Sequence, residues 1–170
     1  MPSFWINPLI DEGYPAMLDL TPDEIRELLE KCDWGTLLVV DGKKPYGIEV
    51  SHYVSEGKIY FIINPRGKAG RCMSENPCVA YKVCKAHLSQ QRWSAATVEG
   101  RVTQVKEPQA IRDAFMRLAE RLDRDRDRYK KLGEKFSAPG QTSPVYYLPI
   151  ATLSGKASQK GFYAGEESDD

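Results

Sequence analysis

The 170-residue sequence is short of the groups that mark metal and redox-thiol sites: it holds two histidines and four cysteines. Cys32, Cys72, Cys78 and Cys84 show no paired CxxC spacing. Cys72, Cys78, Cys84 and His87 suggest zinc only at first sight. If Cys78 and Cys84 share a strand, six residues at about 3.3 Å each part them by roughly 20 Å, too far for one tetrahedral ion. Reduced, mostly buried thiols are the expectation. An excess of either charge is also missing, since Lys plus Arg and Asp plus Glu both number 24. A zero formal net charge gives no global sign of nucleic acid or an anionic membrane and leaves small molecules or proteins as partners. No apolar run approaches membrane-spanning length, and the start MPSFWINPLIDEG lacks the basic head and apolar core of a signal peptide, so a cytoplasmic protein is expected. Internal repeats are absent, and the length suits one domain that needs no disulfide staple.

What is present centres on KIYFIINPRGKAGRCMSENP, residues 58–77. Lys58 to Ile63 carry apolar or aromatic groups at nearly every position, as a strand covered on both faces requires. Asn64-Pro65-Arg66-Gly67 then supplies turn chemistry. A short helix follows from Gly67 to Glu75, with Asn76 past its end and Pro77 preventing continuation. Arg66, Lys68 and Arg71 cluster where the free N–H groups of a helix start already favour an anion, so the element can cradle a phosphate or simply be a solvated basic loop.

Along the rest of the chain, residues 1–20 carry large apolar groups without a period and read as an extended arm. Thr21-Pro22-Asp23-Glu24 is a capping box with proline at the first helical position, and Ile25, Leu28, Leu29 and Cys32 form the apolar stripe of the helix it starts. Trp34 to Val40 and Pro45 to Val54 read as a hairpin turning at Asp41 to Lys44. On the second strand Tyr46, Ile48, Val50, His52 and Val54 share one face, which makes His52 either a satisfied core or interface histidine or a cofactor contact. Cys78 to Val83 is a further strand, Lys85 to Gln91 a polar connection holding His87, and Arg92 to Val105 a long strand with Gly100 marking a bulge or close approach. Pro108 starts a helix predicted to reach Lys131, its run Asp123 to Arg128 being a solvated, salt-bridge-laced end. Residues 133–144 read as a flexible loop able to cover a site, Val145 to Leu153 as the last strand, and residues 157–170 as a tail ending in acid. Many short antiparallel strands with few helices suggest a barrel.

Five segments in one order carry a family resemblance: TPDEIRELLEKCDWGTL, PYGIEVSHYVSEGKIYF, GKAGRCMSENPCVAYKV, RWSAATVEGRV and LSGK. Over residues 20–156 the sequence resembles the pyridoxamine 5′-phosphate oxidase-like FMN-binding split-barrel proteins, in particular the branch with nitroimidazole-resistance-type proteins. The resemblance implies a mainly β fold with flanking helices: a six-stranded antiparallel split β-barrel over residues 21–156, assembled as a homodimer with one FMN in each of two clefts at the interface. It also implies site residues. Lys68, with Arg66 nearby, would meet the phosphate. Ile62, Ile63 and Asn64 would line the flavin or its ribityl chain, Ile48, Glu49 and Val50 would approach the ring, and Trp93, Ser94 and Ala95 would reach the cofactor near the interface.

The sequence departs from the oxidase itself. Gly67 precedes Lys68 where a paired Arg-Lys is usual, Ala95-Ala96-Thr97 replaces a glutamine-containing strand, and the C-terminal substrate-binding arginine and histidine are missing. Oxidation of pyridoxamine phosphate is therefore not expected. No nucleophile–base or carboxylate pair stands out, so a bound flavin would carry the redox step, with a small-molecule substrate, a reduced nicotinamide as a possible donor, and Tyr46, His52 and Trp93 as site-shaping groups. The alternatives are a heme-binding or heme-degrading barrel with His52 or His87 as the iron ligand, a non-catalytic flavin-binding module, and a relative using a deazaflavin.

Overall fold

The computed structural model describes residues 17–87 and 92–159. Of the expected arm only Met17 to Leu20 falls within them, and the tail beyond residue 159 lies outside. The chain runs β1 (Leu18–Asp19), α1 (Pro22–Lys31), β2 (Trp34–Asp41), β3 (Lys44–Ser55), β4 (Lys58–Ile62), α2 (Lys68–Glu75), β5 (Cys78–Ala86), β6 (Trp93–Arg101), β7 (Thr103–Gln104), α3 (Pro108–Arg121), α4 (Arg126–Ser137), β8 (Val145–Pro149) and β9 (Thr152–Ala157). The strands form one antiparallel curled sheet in the order β1-β9-β6-β5-β2-β3-β4-β8-β7. The mainly β class expected from sequence is what forms, with nine strands among the described residues in place of six. The three additions are the two-residue β1 and β7, and β9, which arises because Val145 to Leu153 divides at Ile150-Ala151 instead of continuing.

Two extended segments curl the sheet by changing partners midway. In β3, Lys44 to Ser51 pair with β2, whereas His52 to Ser55 pair with β4. The segment expected as a single strand from Arg92 to Val105 behaves likewise: β6 pairs with β5 and β9, and beyond Val102 the chain pairs as β7 with β8 at the far edge. One continuous segment thus runs from the third position of the strand order to its opposite edge, which closes the structure as sheet-switching corner strands do. Gly100 marks the close approach that its position implied, since a Cβ there would lie 3.2 Å from Leu148 of β8.

Two apolar clusters hold these layers. The first fills the curl with inward residues such as Leu37, Ile59, Phe61, Tyr81, Val98 and Leu148, and both α1 (Ile25, Leu28, Leu29) and α2 (Ala69, Cys72, Met73) bury their stripes in it. The Thr21 capping box is formed, with Glu24 N–H bound to the Thr21 hydroxyl at 3.3 Å and Thr21 N–H bound to the Glu24 carboxylate at 2.6 Å. The second cluster lies outside the sheet, where Tyr53 and Val145 meet Ile111, Phe115 and Leu118 of α3. All four cysteines are free, but only Cys72 is buried: Cys78 and Cys84 fall on the exposed face of β5, where the two-residue period puts them.

The helix expected from Pro108 to Lys131 is instead a hairpin of α3 and α4. Asp123 adopts φ +47° and ends α3, with Asp123 N–H bonding the Glu120 carbonyl and Arg124 N–H the Ala119 carbonyl, a Schellman pattern with aspartate in the glycine position. Asp125 then caps α4 by accepting from Arg128 N–H at 3.0 Å. Because α4 runs to Ser137, the loop expected over residues 133–144 is reduced to the segment after it, and Phe136 stacks on Phe115 at 5.9 Å. The polar connection also shrinks, as β5 continues to Ala86.

His52 occupies the corner of β3. It is fully buried, its Nε2 lies 2.7 Å from the Leu29 carbonyl at the end of α1, and its Nδ1 lies 2.9 Å from the Tyr81 hydroxyl. The carbonyl can only accept, so Nε2 carries the proton and Nδ1 is left as an acceptor. The Tyr81 hydroxyl has a single proton and lies 2.9 Å from the Val50 carbonyl as well, so the two acceptors share it. Gly35 makes room for this ring, since a Cβ there would meet Tyr81 at 2.5 Å.

Two tests follow from the corner. Gly35→Ala should cost about 1–3 kcal/mol of stability in urea unfolding, because Tyr81 is too enclosed to move aside. Burial, the largest cause, lowers the His52 pKa to about 4 from 6.5. The folded imidazole is thus neutral where the unfolded one protonates. Stability from this group is complete above about pH 6.5 and declines as pH falls toward 4, by up to about 3 kcal/mol. Urea midpoints at pH 7.5 and 4.5 should show this fall in the wild type and a smaller fall in His52→Gln; equal falls in the two proteins would remove His52 as its source.

Candidate functional site

The change of partner in β3 opens a gap. Upstream of His52, β3 keeps only β2 as a strand neighbour, while β4 past Phe61 keeps only β8. Backbone groups on the β4 side of β3 therefore face open space between Tyr46 and Val50, since strand N–H and C=O groups alternate between the two sides. A groove of about 260 Å³ occupies this split, walled by Tyr46, Ile48 and Val50 on one side and by Ile62, Ile63 and Asn64 on the other. Gly67, Lys68 and Ala69 close one end.

That end carries the features that favour an anion. Gly67 is the N-cap of α2 and offers no side-chain hydrogen bond, so the first N–H groups of the helix have no side-chain cap. The helix starts tight against the loop before it: a Cβ on Gly70 would lie 2.5 Å from the Pro65 carbonyl oxygen. Asn64 Oδ1 shapes the loop by accepting from Arg66 N–H at 3.0 Å. Lys68 supplies the cation at the groove; its ammonium lies 2.9 Å from Asp41 Oδ2, a hydrogen bond that raises its pKa and keeps it charged. Arg66 stays exposed outside the groove wall, and its carbonyl accepts from Arg71 Nη1 at 2.7 Å. Of the three cations in the sequence cluster, only Lys68 lines the groove.

A second cavity, of about 720 Å³, shares Val50 and Ile62 with the groove and extends between the sheet and the α3–α4 hairpin. Phe115, Leu118 and Leu132 give it an apolar wall, Trp34 and Glu49 stand on its β2–β3 side, and Asp123, Arg124 and Arg128 edge it. Glu49 is fixed by the Thr36 hydroxyl, which donates to its carboxylate at 2.6 Å. The hairpin is anchored at its end, where Arg121 Nη2 donates to the Glu30 and Cys32 carbonyls at 2.5 and 2.8 Å. The Asp-Arg run expected to be a solvated helix end is thus the turn that borders a cavity. Its signal was present in the sequence as two aspartates spaced for a helix stop and a new N-cap.

The remaining expected positions lie elsewhere on the protomer. Trp93 and Ala95 point outward from β6 and line a separate surface cavity of about 540 Å³ beside Lys82 and Lys156. Ser94 points the other way, fully buried, its Oγ without a hydrogen-bond partner, so its side chain is closed to any surface ligand. His52 is a core residue with both ring nitrogens engaged, and cannot shape the groove or bind iron without giving up the corner. His87 is exposed at the end of β5 and lines none of these cavities. Among the described residues no three His, Cys, Asp or Glu side chains gather as a metal site, and no helix is long and apolar enough to cross a membrane.

The groove therefore joins an end that favours an anion to apolar walls and to a larger space of mixed polarity, which suits a planar molecule bearing a phosphate. Comparison with solved structures finds the same fold at low identity. An FAD-binding protein from Mesorhizobium loti matches with 20% identity and a TM-score of 0.63, over 84% of this chain and 96% of its own. A protein ascribed to 5-nitroimidazole antibiotic resistance from Bacteroides thetaiotaomicron matches with 15% identity and a TM-score of 0.67, over 84% and 87%. An FAD and heme binding protein from Mycobacterium smegmatis matches with 17% identity and a TM-score of 0.61, over 82% and 72%. No curated protein matches the chain. The family model described as pyridoxamine 5′-phosphate oxidase matches residues 21–157, from the capping box of α1 to the end of β9, and the chain belongs to that family.

Proposed function

We propose that this chain is an FMN-binding flavoprotein that acts as an oxidoreductase on a small molecule, with the flavin at the seam of a homodimer. The observation that carries the reading is the groove at the split of β3 and β4, which puts the Lys68 ammonium and the uncapped start of α2 at one end of a slot walled by Ile48, Val50, Ile62 and Ile63. Those groups match the two demands of the cofactor, a phosphate to be neutralised and a flat ring to be enclosed. Flavin binding by structural neighbours in the same fold adds support. When bound, the flavin supplies the electron transfer, from a donor such as a reduced nicotinamide to a small-molecule acceptor.

The chain's own residues bind, orient and exclude water. Lys68 and the α2 N–H groups hold the phosphate, and Val50 and Ile62, common to both cavities, separate the ring from the space under the helical hairpin. That space receives the substrate against Phe115 and Leu118, with Glu49, Arg124 and Arg128 as its polar contacts. A second copy completes the site. Trp34, Leu38 and Val40 stand on the outward face of β2, at 53%, 37% and 38% exposure, an apolar stripe that a partner would cover.

The purified protein should show the visible bands of oxidised flavin and release FMN on heating. Lys68→Ala should weaken FMN binding roughly ten- to a hundredfold through loss of charge-assisted bonds, measured by fluorescence titration. Unchanged affinity would place the phosphate elsewhere. In sedimentation, a monomer that retains full cofactor would overturn the interfacial cleft, whereas Leu38→Asp should convert a dimer to monomers.

A further inference from the structure

The Lys68 ammonium is held from two directions before any ligand arrives. Asp41 Oδ2 lies 2.9 Å from it, and it sits 4.3 Å from the centroid of the Tyr46 ring. Tyr46 and Lys68 line the groove, whereas Asp41, the last residue of β2, does not. An ammonium has three N–H donors, so a bond to Asp41 and a face turned to the ring leave donor capacity for an anion. Unheld, the four-carbon stem of a lysine samples many rotamers, and ordering it would be charged against ligand binding. The hold also has a cost, because the carboxylate cancels part of the charge that an incoming phosphate would meet.

We propose that Asp41 is a positioning residue of the anion subsite: with the Tyr46 ring it fixes the Lys68 ammonium at the mouth of the groove while moderating its charge. The proposal rests on the reading of this groove as a flavin-phosphate site. Asp41 touches neither ring nor phosphate and acts through its hold on Lys68 and through its charge opposite the phosphate, so its influence is confined to ligands that carry the phosphate. The arrangement makes the end of β2 part of the site and adds a polar tie between the β2–β3 hairpin and the start of α2, which already share the first apolar cluster.

The two effects of the carboxylate are separable by substitution. Asp41→Asn keeps an acceptor for the lysine and removes the charge; Asp41→Ala removes both. FMN and riboflavin, which differ only in the phosphate, serve as probes in fluorescence titrations of the full chain. Two anions across one ammonium lie roughly 5 Å apart, so removing the carboxylate charge in Asp41→Asn should tighten FMN by about threefold at low salt. Asp41→Ala, with its lysine released, should bind FMN roughly fivefold more weakly than Asp41→Asn. Riboflavin affinity should be the same in all three proteins, and with Lys68→Met in the background Asp41→Asn and Asp41→Ala should bind FMN equally, because only the repulsion between carboxylate and phosphate then distinguishes them from Asp41.

Equal FMN affinity in the Asn and Ala variants would overturn the positioning role, as would a difference between them that survives loss of Lys68. A parallel change in riboflavin binding would show a merely structural effect and overturn it too. These outcomes leave the flavin reading standing as long as the wild type binds FMN. A wild-type protein that binds neither flavin would overturn that reading, and this proposal with it.

Discussion

The structure turns on the corner of β3. A strand that paired with one neighbour along its length would leave no gap, and here the partner changes between Ser51 and His52. The corner is pinned where it bends: the His52 imidazole donates to the Leu29 carbonyl at the end of α1 and accepts from Tyr81 on β5. One buried side chain thereby joins a helix end, a corner strand and a strand two positions across the sheet. Its exclusion from water is what makes it rigid and what makes its protonation costly.

The site inherits its geometry from that corner. Ile48 and Val50 diverge from Ile62 and Ile63 because His52 is the last β3 residue on the near side of the gap to keep β4 as a partner. The second switching segment, through Val102, brings β7 to β8 and hands the chain to α3. That helix and its return partner α4 then roof the larger cavity. The groove and the space behind it are thus two results of one principle, a sheet closed by strands that change neighbours. Nothing in the local preferences of Ile48 or Ile62 would open a cleft between them.

Much of this was legible in the residues. The capping box at Thr21, the hairpin at Gly42, the apolar run of β4 and the short basic helix after Asn64 all depend on contacts within a few positions, and they form where the sequence puts them. The errors share a cause. The break at Asp123 needs a left-handed residue that sequence patterns assign first to glycine, and the change of neighbour at Val102 leaves the backbone extended and so invisible to a two-residue period. Ser94 was drawn into the candidate site by its place in a motif, yet the alternation of its strand turns it inward, whereas His52 takes the core alternative that its apolar strand face allowed. Asp41 carried no signal, because its link to Lys68 joins residues 27 positions apart.

By itself the sequence determined the class of the elements, the apolar faces that build two cores, the anion-favouring start of α2 and, through five ordered segments, the family. These follow from periodicity and short-range hydrogen bonding, which act on neighbours along the chain. Only the tertiary structure decided which cations reach the groove, which histidine nitrogens are taken, and that two cavities meet across Val50 and Ile62. Those outcomes depend on where β3 changes partner, and that choice is made by the long-range burial of His52 and Tyr81 rather than by any stretch of adjacent residues.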